Sequence, residues 1–423
     1  MMQVASCHKS PLDVRLGEIL LALQAPIALQ PLGEALFVTT QKRANDWVFD
    51  RQLVAELSAL MLADARFGDR GHLMVATANG ARAFYPPTRT LLEKLYQTGD
   101  VNAAIAWLTK VLATTSAIGY VVSVLYGVDV AQPFEIVPGL TIMPLDCAPP
   151  TKQLQRFLET TDEMLWFLRC SPPQAALVST MSVSPFVYRG DSGEARPPER
   201  AVVTQEYFRL TSAHSDMARL LTLIGPCLPL IVESWFSFHD PDLHLASGAD
   251  SSRSWPNIEI ASVFGSPVQL IGHEEAKQLA TAFQSFPAAD KLVVDLALDR
   301  LRHAQARLHD GDRAVEIFVA LEALLGDGQS NELSHKMSTR AVRLLGGSSA
   351  DRLRTFQLLK KFYEVRSKVM HTGKVDPARK YTVANVSISL SQLADESTAV
   401  CAAVIRRIIE LGCIPKWGEF DIN

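Results

Sequence analysis

The sequence has few cysteines and lacks the short motifs of several enzyme classes. Its six cysteines lie far apart along the 423 residues, at Cys7, Cys147, Cys170, Cys227, Cys401 and Cys413. No CxxC pair occurs, so neither a zinc knuckle nor a dithiol redox centre is predicted, and scattered free thiols are typical of a reduced, cytoplasmic protein. A phosphate-binding loop, a dinucleotide-binding fingerprint and a GxSxG elbow are absent as well. We therefore expect no cofactor and no metal.

Long uninterrupted apolar runs are also missing. The two most apolar stretches are Leu112–Val128, which contains hydroxyl side chains and two glycines, and Leu220–Ile231, which is broken by a glycine and two prolines. Each is too short or too interrupted to cross a bilayer, so we expect buried core elements and no membrane partner. The N-terminus has no apolar segment followed by a small-residue cleavage site, and no signal peptide is predicted.

Length and charge limit the architecture and the partners. A chain of 423 residues is too long for one ordinary core, so two or three domains are expected. The net charge of −4 provides no overall attraction to nucleic acid, so RNA binding would need a local basic patch. We predict an α+β fold, with a mixed α/β region at 1–285 and an all-α helical bundle at 286–423. The first region divides near 120–150 if it holds two subdomains.

Apolar periodicity and capping residues predict the individual elements. In the first region, spacings of three and four residues predict helices at Leu53–Ala65, Val101–Ala113 and Lys152–Leu168. β-branched segments predict strands at Phe134–Pro144 (a pair about a Pro-Gly turn), Ala175–Val187, Ala201–Leu210, Ile258–Phe264 and Val268–Ile271. In the second region, caps and periodicity predict helices at Lys291–Leu308, Asp312–Leu325, Asn331–Leu345, Ala350–Met370 and Thr382–Leu411.

The helix predicted from Ala350 carries an arginine beside its apolar stripe. Arg366 follows Phe362 by four residues and Tyr363 by three, so it lies on or next to the packed face. A guanidinium there is costly unless it meets a carboxylate, a phosphate or a partner subunit. His371 follows near the helix end, about 140° around the helix axis from Arg366. The two side chains therefore do not stack, but they can converge on a cleft beside the helix terminus.

The segment KFYEVRSKVMHTG resembles the Rx4–6H signature of the HEPN superfamily, in which a polar residue, here Ser367, usually follows the arginine. Two upstream segments, Phe318–Gly326 (FVALEALLG) and Asn331–Gly346 (NELSHKMSTRAVRLLG), together with Leu358–Gly373 (LLKKFYEVRSKVMHTG), resemble successive helices of the Apea-like HEPN group. The resemblance covers about residues 286–415 and does not reach the first 285. It implies a metal-independent endoribonuclease that is usually dimeric and often serves as a toxin or in defence against phage.

Under that resemblance, Arg366 and His371 are the expected catalytic residues. Histidine exchanges a proton near neutral pH, so His371 could assist attack by, or departure from, a ribose oxygen. Arg366 is permanently cationic and could stabilise charge that builds on the scissile phosphoryl group. Attack by the neighbouring 2′-hydroxyl would restrict cleavage to RNA and leave a cyclic phosphate. The expected partners are RNA, a second copy of the chain bound through the bundle, and a regulatory protein or phage-derived trigger.

Charge is concentrated around this motif. Residues 331–380 contain twelve lysines and arginines against four acidic residues. Lys360, Lys361, Lys368 and Lys374 are the candidates for contacts with the RNA backbone. A bundle surface that is basic for solubility alone would have the same composition, so both interpretations stay open.

Three further residues are candidates for supporting roles. Glu322 lies within an apolar helix, where it could orient Arg366 or His371, or meet water or another cation such as Arg340. Tyr363 could donate a hydrogen bond to phosphate, or pack in the core with its hydroxyl at the rim. His335 lies on a different helix and is interpreted as a surface or edge histidine.

Three functional interpretations remain. The first is a HEPN ribonuclease whose N-terminal region senses a trigger, binds a partner or selects RNA. The second is a non-catalytic HEPN module for dimerisation or for gathering other proteins. The third places the activity in residues 1–285, for example at a metal bound by His239–His244 (HDPDLH). The proline of that segment makes a turn with solvated polar groups the simpler interpretation.

Overall fold

The computed structural model of the chain describes residues 10–22, 51–66, 73–77, 80–83, 88–151, 153–159, 173–183, 187–189, 198–225, 227–243, 250–252, 268–327 and 332–422. The helices are α1 (Pro11–Ala22), α2 (Arg51–Ala63), α3 (Thr88–Thr98), α4 (Val101–Ala113), α5 (Pro198–Leu221), α6 (His273–Gln284), α7 (Ala288–Ala306), α8 (Asp310–Leu325), α9 (Leu333–Leu345), α10 (Ser349–Thr372), α11 (Leu390–Leu411) and α12 (Trp417–Phe420). The strands are β1 (Leu73–Thr77), β2 (Gly80–Ala83), β3 (Ala117–Tyr126), β4 (Val128–Asp129), β5 (Phe134–Val137), β6 (Leu140–Pro144), β7 (Ala175–Val183), β8 (Val187–Arg189), β9 (Leu230–Phe238), β10 (Asp250–Ser252), β11 (Gln269–Leu270), β12 (Lys380–Val383) and β13 (Val386–Ser389). Helices and sheets are both present, so the fold is α+β. None of the described helices is long and apolar enough to cross a membrane.

The chain divides into two compact units. Unit 1 comprises Met1–Tyr120, Met181–Phe208 and Phe236–Asp250, and unit 2 comprises Val121–Thr180, Arg209–Trp235 and Ser251–Asn423. In unit 1, helices α1 to α4 pack together, and β1 lies between β2 and β8 in an antiparallel sheet. The predicted helices at Leu53–Ala65 and Val101–Ala113 are confirmed as α2 and α4.

The larger sheet has the strand order β10-β9-β3-β7-β6-β5. Strands β5 and β6 form the predicted antiparallel pair, and Gly139 in the turn between them has a φ of +79°, which favours glycine. The strand predicted at Ala175–Val187 is confirmed over Ala175–Val183. Of the predicted final pair, only Val268–Ile271 can be judged; it contains β11, which pairs in parallel with β4. Residues 258–264 lie outside the described part of the chain, as does most of the predicted helix Lys152–Leu168 beyond residues 153–159.

The strand predicted at Ala201–Leu210 is wrong, because this segment belongs to helix α5. Its β-branched residues favour a strand locally. However, the buried positions Tyr207, Leu210, His214, Met217 and Leu221 recur at three- and four-residue spacing. Burial of one helical face therefore overrides the local preference.

The helix predicted at Thr382–Leu411 is wrong in its first part, where the hairpin β12–β13 precedes α11. The two-residue turn, Ala384-Asn385, has positive φ at both positions, as a type I′ turn requires. Tyr381, Val383 and Ile388 of the hairpin are buried. The bundle of the C-terminal region is consequently helical with one added hairpin.

A single hydrophobic core fills unit 2 and includes residues from Leu125 to Trp417. Helices α6 and α7, on either side of the predicted domain boundary at 285, both bury side chains in it, including Phe283 and Val294. The boundary therefore falls inside unit 2, and the strands β5 to β7 share their core with the helices that follow.

A buried histidine network joins α5 to strands of unit 2. The Nδ1 atom of His214 lies 2.8 Å from Ser123 Oγ and its Nε2 atom lies 3.0 Å from Ser179 Oγ. Ser123 Oγ is in turn 2.8 Å from Ser234 Oγ. His214 is fully buried, and burial lowers its pKa from 6.5 to about 4. The folded protein thus favours the neutral imidazole.

We expect this network to make the protein acid-sensitive. Because the pKa of His214 is lower in the folded than in the unfolded chain, its contribution to stability is complete above pH 6.5 and decreases as the pH falls toward 4. The total loss is about 3 kcal/mol. Urea unfolding of the wild type and of His214→Gln between pH 7.5 and 4.5 measures it. The difference between the unfolding free energies of the wild type and His214→Gln should shrink as the pH falls. If this difference is the same at every pH, the lowered pKa of His214 is contradicted.

Candidate active site

Helix α10 is the framework of the candidate site. A capping box between Ser348 and Asp351 starts the helix, and Gly373 in the left-handed region ends it. Its buried face consists of Leu358, Leu359, Phe362 and Val365, and it packs against α8, α9 and α11. The prediction of a long helix that ends before Gly373 is confirmed, and this packing fixes the rotation of the helix about its axis.

Arg366 lies at the edge of the buried face and has no anionic partner among the residues that the structure describes. Its guanidinium carbon is 5.6 Å from the centre of the Tyr363 ring, and its Nε atom is buried without a hydrogen bond. Within the described part of the chain, Arg366 forms no ion pair. By contrast, Arg340, Arg354 and Arg313 on neighbouring parts of the bundle bind carboxylates at 2.6, 2.7 and 2.8 Å. No carboxylate of the described residues therefore neutralises the charge of Arg366.

His371 and Ser367 lie on the solvent side of the same helix. His371 is exposed in the last turn of α10, and Ser367, one turn earlier on that side, is half-buried. Arg366 is one residue before Ser367 and points about 100° away from it. One chain thus presents Arg366 and His371 on different sides of the helix, about 140° apart around its axis, rather than in one closed pocket.

Tyr363 is half-buried, and its ring meets the Phe318 ring of α8 edge to face, with the ring centres 5.1 Å apart. The ring of Tyr363 therefore packs on the core, and the Arg366 guanidinium lies over it. The hydrogen bond from its hydroxyl to a phosphate stays a prediction. The contact also defines how α8 and α10 are aligned.

Glu322 is not close to Arg366. Helices α8 and α10 are antiparallel, since Phe318 contacts Phe362 whereas Gly311, at the start of α8, lies against Val369. Glu322 is one turn beyond Phe318, and Arg366 is one turn beyond Phe362 in the opposite direction. They are consequently about 12 Å apart along the helix axis. Glu322 is exposed, which fits the alternative in which it meets water.

The buried acid of α8 is Glu316, which the sequence interpretation missed. Glu316 is 7% exposed and accepts hydrogen bonds from Arg300 at 3.1 Å and Arg307 at 2.9 Å. These contacts hold the pKa of Glu316 below its usual range despite the opposing effect of burial. Glu316 lies four residues after Asp312 and six residues before Glu322. Nothing in the local sequence indicates which of these three carboxylates is buried.

The four candidate RNA-binding lysines do not share one surface. Lys360 is exposed with its Nζ atom 5.4 Å from the centre of the Phe356 ring, and Lys374 is exposed after the helix end. Lys361 instead forms an ion pair with Glu364 at 2.8 Å. Lys361 and the exposed Lys368 lie on the side of α10 where Gln357 accepts a hydrogen bond from the backbone of Ala384. Lys360 thus faces the side of Tyr363, and Lys361 and Lys368 face the hairpin.

A groove lies between the first turn of α9 and the middle of α10, and we call it the α9–α10 groove. Its volume is about 560 Å³, and it is lined by Glu332, Leu333, Ser334, His335, Lys360 and Tyr363. The His335 ring meets the Phe356 ring edge to face, with ring centres 5.6 Å apart. The sequence interpretation treated His335 as an edge histidine, because no spacing rule connects it with Lys360 on the next helix.

The segment around His239 is occupied by salt bridges. Asp240 binds Lys110 at 2.5 Å, and Asp242 binds Lys94 at 2.5 Å and Lys110 at 3.1 Å. No cluster of potential metal ligands occurs among the described residues, and His244 lies outside them. Carboxylates that are neutralised by lysines favour the turn interpretation of this segment over a metal centre.

Comparisons with protein-family models, with curated proteins and with solved structures gave no match for this chain.

Proposed function

We propose that the protein is a metal-independent endoribonuclease of the HEPN type, with a mixed α/β N-terminal region and a HEPN-like helical bundle. The observation that carries this proposal is the half-buried Arg366, which has no anionic partner among the described residues and precedes the exposed His371 on one helix. The substrate is RNA. The ribonuclease acts in the cytoplasm as a toxin or in defence against phage, and the N-terminal region responds to a regulatory protein or a phage-derived trigger.

The proposed reaction is an internal transesterification. His371 removes the proton of a ribose 2′-hydroxyl or supplies one to the leaving oxygen. The 2′-oxygen forms a bond to phosphorus while the bond from phosphorus to the 5′-oxygen breaks, which leaves a 2′,3′-cyclic phosphate and a 5′-hydroxyl. Arg366 neutralises the charge that builds on the phosphoryl oxygens.

The site requires a second copy of the chain in this proposal. Arg366 and His371 of one chain lie about 140° apart around α10, so one chain does not surround a phosphate. Leu353 and Met370 of the same helix are 54% and 59% exposed, respectively. Apolar side chains of this size are suited to burial against another subunit. A homodimer that packs along α10 would bring two arginines and two histidines to one cleft.

These exposed apolar residues also favour a second candidate function. A non-catalytic HEPN module that binds another protein through α10 would need Leu353 and Met370 but not His371. The two candidates differ in chemistry and can be separated by a cleavage assay.

The test is cleavage of single-stranded RNA by the purified full chain in the presence of a chelator. We expect cutting with 2′,3′-cyclic phosphate and 5′-hydroxyl ends, and no cutting where the target nucleotide is replaced by its 2′-deoxy form. Products with a 5′-phosphate, or loss of activity on chelation, would contradict the mechanism. A chain that binds a protein partner but never cuts RNA would favour the second candidate.

A further inference from the structure

The α9–α10 groove adjoins Arg366 without containing either predicted catalytic residue. Tyr363 connects the two, because it lines the groove and carries the Arg366 guanidinium over its ring. We propose that this groove binds the nucleotide of single-stranded RNA next to the scissile phosphate, with the base against its aromatic side chains and the backbone at Lys360. This inference rests on the proposed ribonuclease function and adds a substrate-binding subsite to it.

The aromatic side of the groove is preorganised. His335 is held edge to face by Phe356, and Tyr363 is held edge to face by Phe318. Rings that are fixed by such contacts lose little conformational freedom when a ligand binds. Unpaired bases of RNA stack on histidine and tyrosine rings, so the groove has the surfaces that a single-stranded base requires.

The cation of the groove is Lys360. It is exposed, its ammonium lies 5.4 Å from the centre of the Phe356 ring, and it forms no ion pair among the described residues. Lys361, the next residue, is bound by Glu364. Lys360, rather than Lys361, is therefore the lysine that is available to bind a phosphate.

The groove and Arg366 follow one another along α10. Lys360, Tyr363 and Arg366 are spaced by three residues, which places Lys360 about 9 Å from Arg366 along the helix axis. A strand whose scissile phosphate meets Arg366 would therefore continue into the groove within one or two nucleotides.

Glu332 gives the groove a base preference. Glu332 is one of the residues that line the groove, and an ionised carboxylate can only accept hydrogen bonds. Cytosine offers an amino group to such an acceptor, whereas uracil presents a carbonyl oxygen at the same place. We therefore expect cytosine to bind in the groove more tightly than uracil.

Binding of a fluorescent, 2′-O-methylated oligoribonucleotide to the full chain tests the subsite, because such RNA cannot be cut by 2′-hydroxyl attack. We expect His335→Ala to raise Kd about tenfold, as loss of one stacked base would. Lys360→Gln should weaken binding and lower the slope of log Kd against log salt by about 0.7. The matched control, Arg352→Gln, removes one exposed positive charge of the same helix outside the groove and should leave Kd and slope close to those of the wild type. In wild type, oligocytidylate should bind more tightly than oligouridylate, and Glu332→Gln should remove the difference.

Cleavage kinetics with the same variants separate the subsite from the catalytic proposal. The groove variants should raise KM with kcat unchanged, whereas Arg366→Ala should lower kcat. If Arg366→Ala abolishes cleavage while Lys360→Gln and His335→Ala leave Kd and KM unchanged, the subsite is refuted and the ribonuclease stands. If the groove variants weaken RNA binding but the wild type does not cut RNA, the subsite is supported and the ribonuclease is refuted. A wild type that does not bind RNA refutes both.

Discussion

Arg366→Ala and His371→Ala are each expected to lower kcat for RNA cleavage by a factor of about 10² to 10⁴, the usual loss when a proton-transferring group or an electrostatic stabiliser is removed. Arg366→Ala removes the half-buried cation that has no anion of its own among the described residues. His371→Ala removes the titratable group of the last turn of α10. Initial rates of cleavage at saturating RNA measure both effects.

Two further variants make the result specific. Arg352→Ala is the matched control, because Arg352 is an exposed arginine of the same helix and is far from the predicted cleft. It should keep the wild-type kcat. Arg366→Lys should recover little activity, since an ammonium cannot bind a phosphate in the bidentate manner of a guanidinium. If Arg352→Ala and Arg366→Ala lower kcat equally, Arg366 acts only as one of several positive charges on a basic surface and not as a catalytic residue.

Arg340→Ala is expected to lower the free energy of unfolding by about 3 kcal/mol, the lower end of the cost of breaking a buried ion pair. Arg340 is 2% exposed and binds Asp421 at 2.6 Å, Asp327 at 3.0 Å and the Leu325 carbonyl oxygen at 2.6 Å. Its removal leaves two carboxylates and a carbonyl without this donor, although both carboxylates retain access to water. Urea unfolding at pH 7 measures the loss.

Arg343→Ala is the control for this second prediction. Arg343 lies one turn after Arg340 and also contacts Asp421, but it is exposed and donates to the backbone carbonyl oxygen of Asp421, at 2.6 Å, rather than to its carboxylate. Its removal should cost less than about 1 kcal/mol. If Arg340→Ala and Arg343→Ala lower the free energy of unfolding equally, burial does not explain the contribution of Arg340 to stability.

The helices near the candidate site were predictable because several local signals agree there. In α10, apolar spacing, the capping box at Ser348 and the terminal Gly373 all specify the same helix. The position of Arg366 beside the buried face follows from that periodicity. Its lack of a carboxylate partner among the described residues does not follow from the sequence, because Arg340 of α9 and Arg354 of α10 itself do have such partners.

The errors arise where contacts distant in sequence decide the structure. Segment 201–210 contains β-branched residues but becomes helical because α5 buries one face. The hairpin turn at Ala384-Asn385 lacks the glycine that usually marks such a turn. Glu316 rather than Glu322 is buried because it pairs with two arginines, Arg300 in α7 and Arg307 directly after α7. The α9–α10 groove likewise joins residues of two helices that no local pattern connects.

The most direct test of the composite site is to mix two impaired variants. Arg366→Ala keeps His371, and His371→Ala keeps Arg366, so a mixed dimer contains one intact arginine and one intact histidine on different chains. After unfolding and refolding the two variants together, we expect RNA cleavage that is faster than that of either variant alone. If the refolded mixture contains mixed dimers, as differently tagged chains would reveal, and still cuts RNA no faster than either variant alone, then the site is not built from two copies of α10 and the account is contradicted.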